Sequence, residues 1–172
     1  MRSLYSYLRE VKDHRRLQGQ RTPMAAFLEM IVLAALGRQT GIREISRFIK
    51  NNDKFFVERY GLKHGTPTYA TLRNFLGQLN HKSFLNAVRS WVLQYTEDDD
   101  LVAIDVKAHD STMTLGDIWD NSKQILKSML NKVCDEKEIE ALKSFENKSI
   151  TAEELIKACE SKGITFAIKE TG

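Results

Sequence analysis

The chain has 172 residues, of which 42% are hydrophobic and 28% are charged, and it contains only two prolines. This composition supports a packed core and excludes a chain that is mainly disordered. The length allows one domain, or one domain with a small appendage.

The net charge of +3 conceals two halves of opposite sign. Residues 1–95 contain 16 Lys and Arg against 6 Asp and Glu, a net charge of +10, whereas residues 96–172 contain 10 against 17, a net charge of −7. A basic half is typical of proteins that bind a polyanion, most commonly nucleic acid. The alternative is a solvated surface whose two halves attract each other. The asymmetry favours different partners for the two halves.

Signals for export and for membrane insertion are weak. Residues 1–5 contain no hydrophobic signal core. The apolar run at residues 24–36 is too short to span a bilayer. We expect the two cysteines, Cys134 and Cys159, to be reduced and buried. A cytoplasmic protein without a membrane partner is therefore expected.

The basic half is predicted to be helical. A first helix over residues 3–12 is followed by a second, which has Thr22 as its N-cap and Pro23 in its first turn and which ends at Gly37. The second helix is apolar on nearly all sides, so we expect it at the centre of the core. Four more helices are indicated at residues 41–50, 55–60, 68–80 and 82–95.

The acidic half combines one strand candidate with further helices. Residues 101–106 are rich in branched apolar side chains, which favours a strand. Amphipathic helices are indicated around residues 125–133 and 139–142. A capping box of Thr151 and Glu154 opens another helix, which Gly163 closes. Residues 164–168 fit either a short terminal strand or a docking tail.

The predicted fold is mainly α. It is a helical bundle with a helix-turn-helix-like element, one short strand near residues 101–106, and a small acidic helical module at the C-terminal end. We divide the chain into a basic helical domain at residues 1–100, a strand remnant and linker at 101–112, and the acidic helical module at 113–172.

The helix at residues 68–80 is the candidate for nucleic-acid recognition. It follows a short helix and a glycine-bearing turn, as the second helix of a helix-turn-helix does. Arg73 would pair with a guanine edge and Asn74 with adenine. Most of the remaining candidates are suited to phosphate: Arg43, Arg47, Lys50, Lys63, His64, Thr66 and Thr68. Tyr69 fits a packing residue and a base contact equally well. On spacing alone, a solvated surface explains these residues equally well.

An ordered series of segments adds a family resemblance. The series runs from Asp13-His14-Arg15-Arg16 through the apolar helix at residues 24–36 and the turn Gly65-Thr66-Pro67-Thr68 to Ile104-Asp105-Val106-Lys107. It resembles the helical domain that precedes the catalytic domain in one group of DDE-type insertion-sequence transposases. The resemblance covers about residues 5–110 and implies a DNA-binding region whose partner is double-stranded DNA.

The resemblance raises the question whether Asp105 belongs to a catalytic site. In the family, the corresponding aspartate is the first of three carboxylates that bind two divalent ions. Here Val106 replaces the family's glycine, and the later residues look helical and acidic rather than rich in strands. Asp110, Asp117 and Asp120 stand where carboxylates commonly cap helices. We therefore interpret Asp105 as vestigial and expect no cofactor, with Mg²⁺ relevant only to a catalytic protein.

The sequence favours a transposase-derived DNA-binding protein without strand-transfer activity, which acts in DNA recognition or regulation. The alternative is a protein-interaction subunit of a larger complex, or a homodimer, that reuses the helical domain as a scaffold. A third possibility is a decayed reading frame. DNA binding and co-purification of a stoichiometric partner distinguish the first two.

Overall fold

The computed structural model of the chain describes residues 2–15, 20–97, 114–144 and 150–166. Within these ranges the fold is mainly α, as predicted. No helix in them is both long enough and apolar enough to cross a membrane. The predicted strand at residues 101–106 lies outside the described residues. The helices are α1 (Leu4–Leu8), α2 (Met24–Leu36), α3 (Ile42–Asn51), α4 (Asp53–Tyr60), α5 (Tyr69–Gln78), α6 (His81–Val92), α7 (Leu115–Leu130), α8 (Glu136–Ser144) and α9 (Ala152–Glu160).

Helix α2 is the central helix of the core, as its sequence predicts. All of its residues are buried. Its N-cap is Pro23, which has an extended ψ of 140° and makes no side-chain capping bond. The prediction that Thr22 is the N-cap is wrong, because the helix begins one residue later than the Thr-Pro signal suggests. At the other end, Gly37 is the predicted C-cap, but Arg38 takes the left-handed φ of 65°.

One hydrophobic core runs through both halves of the chain. Helix α2 contacts α1 and α3 from the basic half and α7 and α9 from the acidic half, and α6 packs against α7. Phe27 and Trp91 from the basic half and Trp119 and Phe166 from the acidic half are each at most 2% exposed. The acidic helices therefore complete the core of the basic half. The domain boundaries given above stay a prediction.

Two buried polar contacts attach α7 to the basic half. Trp119 Nε1 donates to Thr40 O at 2.6 Å. The His81 ring lies between Ser122 Oγ and Leu76 O, each 2.8 Å from a ring nitrogen. Because a carbonyl oxygen only accepts, His81 Nε2 is the donor to Leu76 O. Both ring nitrogens therefore have a hydrogen-bond partner in the buried contact between α6 and α7.

The C-terminal segment docks beside α1, which is shorter than the helix predicted over residues 3–12. Leu4 N donates to Thr165 O at 3.0 Å, and Trp91 Nε1 donates to the same oxygen at 3.0 Å. The first bond satisfies an amide at the start of α1, where helices lack internal partners. Residues 164–166 therefore form a docking tail, one of the two predicted alternatives, and residues 167 and 168 lie outside the described residues.

Local signals in the acidic half identify the start of α9 correctly, whereas its C-cap is Ser161, two residues before the predicted Gly163. Thr151 and Glu154 form the predicted capping box. Gly163, in the turn after the helix, has a φ of 82°, which favours glycine. Cys134 and Cys159 are free and buried, as expected.

Candidate nucleic-acid interface

Helices α3 and α5 pack against each other and turn their apolar faces inward. Ile45 and Ile49 of α3, and Leu72 and Leu76 of α5, are each at most 1% exposed. The spacing of three or four residues that buries these side chains leaves the opposite face of each helix to solvent. The surface formed by these two solvent-facing sides is called the outer face below.

The outer face carries most of the predicted contact residues. Those exposed on it are Arg43, Arg47 and Lys50 of α3 and Tyr69, Arg73 and Asn74 of α5. The guanidinium carbon of Arg43 lies 5.5 Å from the ring centroid of Tyr69. This cation–π contact joins the two helices at the surface. Tyr69 is 38% exposed and is the one large hydrophobic side chain exposed in the described ranges.

The turn between α4 and α5 extends the outer face. Lys63 and His64 are exposed there. Gly61 and Gly65 have φ values of 62° and 77°, and glycine adopts these left-handed conformations without the steric cost of a Cβ atom. The two glycines therefore allow the chain to reverse direction and to present the two basic residues beside α5.

Thr66 is engaged in a contact that sequence reasoning missed. Its amide N donates to Asp53 Oδ1 at 3.2 Å, and its hydroxyl donates to the same oxygen at 2.6 Å. In the sequence, Asp53 suggests only a favourable charge at the start of α4, because nothing local indicates a partner 13 residues away. Both hydrogen-bond donors of Thr66 therefore already face the Asp53 carboxylate. A phosphate contact by Thr66 stays a prediction.

Thr68 is the N-cap of α5. Its Oγ1 accepts from Thr71 N at 3.3 Å, which satisfies one of the amides at the start of the helix. The cap determines where α5 starts, and Tyr69 is consequently the first residue of the helix, beside Arg43. The role of Thr68 at phosphate, like that of Thr66, stays a prediction.

Helix α5 is held against the core mainly from its inner side. It packs against α3 and α7. The ring of Phe75 also stacks on Phe27 of α2, with centroids 4.0 Å apart and planes inclined by 8°. Helices α3, α4 and α5 follow the order of the predicted helix-turn-helix-like element, and that interpretation stays a prediction.

The acidic candidates form no metal site in the described residues. Asp105 and Asp110 lie outside those residues. Asp117 forms a capping box with Thr114 at the start of α7. Within the described ranges, no group of three or more His, Cys, Asp or Glu side chains is placed to hold a metal ion. Asp117 is therefore a helix-capping residue, as its position predicts.

Comparison with known proteins bears on the basic half. A family model described as DDE_Tnp_1-associated matches residues 5–92, just over half of the chain. The match extends from α1 to the last residue of α6 and includes the whole outer face. No curated protein and no solved structure matches the chain. The family resemblance seen in the sequence is therefore confirmed, in the form of an accessory region that is not itself catalytic.

Proposed function

Since the chain belongs to the DDE_Tnp_1-associated family, we propose that it is a transposase-derived DNA-binding protein that binds double-stranded DNA through the outer face. The main observation in support is that the exposed sides of α3 and α5 form one surface. They meet where the guanidinium carbon of Arg43 lies 5.5 Å from the ring centroid of Tyr69. The protein acts in recognition or regulation of a DNA site.

The outer face has an excess of positive charge. Helix α3 contributes Arg43, Arg47 and Lys50 against Glu44, and α5 contributes Arg73 and no carboxylate. Duplex DNA carries about one negative charge per 1.7 Å of its axis and a layer of condensed cations. A surface with this charge excess attracts the duplex and gains free energy when those cations are released.

Helix α5 also presents side chains suited to reading bases. Arg73 can donate two hydrogen bonds to guanine, and Asn74 can pair with adenine through its amide. Both are exposed; Arg73 lies one turn beyond Tyr69, and Asn74 is the next residue along the helix. Lys63 and His64 lie in the preceding turn, where they suit phosphate contacts.

Binding of DNA is tested by fluorescence anisotropy with a labelled duplex. We expect affinity to fall steeply between about 50 and 200 mM salt, because each phosphate contact releases condensed cations. Selection from a random pool of duplexes then supplies a preferred site. An absence of binding even at low salt would contradict the proposal.

Single substitutions separate base reading from phosphate contact. Arg73→Ala should weaken binding to the preferred site by about 1–3 kcal/mol and relax the base preference. Arg47→Ala should weaken binding to all sequences and reduce the salt slope by about one. Lys137→Ala removes an exposed charge from α8 and is the matched control, with no change expected. Equal effects of Arg73→Ala and Lys137→Ala would contradict the role of α5.

We also propose that the protein performs no strand transfer. The support is the accessory character of the matched family region and the presence of Val106 where the resembled transposases have a glycine after their aspartate. We therefore expect no nuclease or strand-transfer product in Mg²⁺ or Mn²⁺. Metal-dependent activity that Asp105→Ala abolishes would overturn this part of the proposal.

The alternative, a protein-interaction subunit, has less support from the described surface. Protein interfaces concentrate aromatic and apolar side chains at their centre. Tyr69 is the one large hydrophobic side chain that is exposed in the described ranges. A co-purifying stoichiometric partner that blocks α5 would favour the alternative over DNA binding.

A further inference from the structure

The charged segment before α2 contains one cation, Arg15, that the protein covers almost completely. The sequence Asp13-His14-Arg15-Arg16 is strongly basic and interrupts the helical pattern, and the function proposed above does not use it. The side chain of Arg15 is only 9% exposed. A guanidinium that is this buried is poorly placed to contact phosphate, so its role depends on the protein groups around it.

Hydrogen bonds to Asp13 and to Thr22 hold the side chain of Arg15 in place. Its Nε and Nη2 donate to Oδ1 and Oδ2 of Asp13 at 3.0 and 2.8 Å, a bidentate pairing that orients the guanidinium plane. Nη2 also donates to Thr22 O at 2.8 Å, immediately before α2. Arg15 therefore links Asp13 to Thr22, just before α2. Asp13, His14 and Arg15 together are called the clasp below.

The clasp lies against the inner side of α5. Phe75 of α5 is 3% exposed, and its ring stacks on Phe27 of α2. The guanidinium carbon of Arg15 lies 5.6 Å from the Phe75 ring centroid, and the His14 ring centroid lies 5.7 Å from it. The inner anchor of α5 is therefore enclosed between α2 and the clasp.

His14 contributes to this enclosure as a neutral ring. Neither of its ring nitrogens has a hydrogen-bond partner among the residues that the structure describes. Burial lowers the pKa of His14, because the charged imidazolium loses hydration there. An uncharged imidazole can pack on Phe75, and Arg15 supplies the cation in the clasp.

We propose that Arg15 is a positioning residue for DNA recognition, because the clasp determines the orientation in which α5 presents Arg73 and Asn74. The inference rests on the proposed function. Phe75 directly follows Asn74, so a shift of Phe75 against α2 moves the neighbouring residues on the outer face. Helix α5 has only ten residues, too few to be stable alone, so its orientation depends on contacts at its inner side.

The first test is hydrogen exchange of the full chain without DNA. In Arg15→Ala we expect the amides of α5 to exchange about tenfold faster relative to those of α6, because local opening of α5 becomes easier. Arg15→Lys keeps the charge but not the bidentate pairing and should show a smaller change in the same direction. Lys12→Ala removes an exposed cation from the same segment and is the matched control. It should leave α5 unchanged.

The second test is a double-mutant cycle of DNA affinity, at a temperature at which all variants are folded. Arg73→Ala should weaken binding roughly 5- to 150-fold in the wild-type background. We expect this factor to shrink at least about threefold in the Arg15→Ala background, since residues coupled through one helix are not additive. In the Lys12→Ala background it should persist. A general loss of stability would not change the ratio by which Arg73→Ala weakens DNA binding by the folded protein.

The two tests separate this inference from the proposed function. If the wild-type protein binds no DNA, the proposed function fails, and exchange still decides whether the clasp holds α5. Unchanged exchange in α5, or an equal Arg73→Ala factor in both backgrounds, would overturn the positioning role. If Arg15 contacted phosphate directly, Arg15→Ala would reduce the salt slope by about one and leave exchange unchanged. That result would also overturn the inference.

Discussion

Replacing Glu29 with alanine is expected to lower the free energy of unfolding by about 3–5 kcal/mol, the usual cost of removing one partner from a buried ion pair. Glu29 is 0% exposed within α2. Its Oε1 accepts from Arg59 Nε at 3.1 Å and from the hydroxyl of Tyr60. The alanine variant leaves both of these donors of α4 without their acceptor. Denaturant unfolding followed by circular dichroism measures the loss.

Two further variants identify the cause of this loss. Glu29→Gln keeps an oxygen for both donors but leaves the Arg59 charge unpaired, so it should lose less than Glu29→Ala but more than an exposed substitution. Glu44→Ala removes an exposed glutamate from α3 and should stay within about 0.5 kcal/mol of the wild type. If Glu29→Ala were as stable as Glu44→Ala, the contact between α2 and α4 would not depend on this carboxylate.

The same residue gives the stability a pH dependence. Burial raises the pKa of Glu29, despite the opposing attraction of Arg59 and the hydrogen bond from Tyr60. The relevant pH window lies between the pKa of an unfolded glutamate, about 4.3, and the raised pKa of Glu29 in the folded protein. In this window the unfolded chain has released a proton that the folded protein retains. The free energy of unfolding therefore falls as the pH rises through this window. Glu29→Gln should lack this part of the pH dependence.

Replacing Trp119 with alanine is expected to destabilise the protein by about 3–5 kcal/mol, because it removes a large side chain from the core. Trp119 is 2% exposed and lies beside the His81 ring at a centroid distance of 6.3 Å. Its Nε1 donates to Thr40 O at 2.6 Å, so the variant also leaves a buried carbonyl without this donor. Thermal and denaturant unfolding measure the change.

Matched variants divide the Trp119 effect into packing and hydrogen bonding. Trp119→Phe keeps most of the apolar volume and loses the donor, so we expect about 1–2 kcal/mol. Gln124→Ala changes an exposed residue of α7 and should stay within about 0.5 kcal/mol of the wild type. A Trp119→Ala loss as small as that of Gln124→Ala would show that α7 contributes little to the core.

The shape of the unfolding transition also tests the domain boundaries. Because α7 packs on α2 and α6, we expect the halves to unfold together in one transition. The family match ends at residue 92, before α7 begins. Two separate transitions would instead support the division predicted at residues 100 and 113. A single transition would show that, in this chain, the family region and the acidic helices are stable only together.

Local chemistry made the helices of the basic half predictable. The apolar run of α2, the Thr68 cap of α5 and the left-handed Gly61 each act through contacts within about four residues. The order of these segments was also enough to indicate the family. The outer face follows from the same periodicity, because burial of one side of α3 and of α5 exposes the other.

The sequence by itself therefore determined that the chain is mainly helical, which sides of α3 and α5 are buried and which family the chain resembles. Only the tertiary structure decided what the charged residues inside it contact. Glu29 interrupts an apolar helix in the sequence, and its partner Arg59 lies 30 residues away. Arg15 belongs to a basic segment, yet it packs on Phe75 behind the outer face. Such contacts arise from the packing of separate helices, so no local sequence period records them.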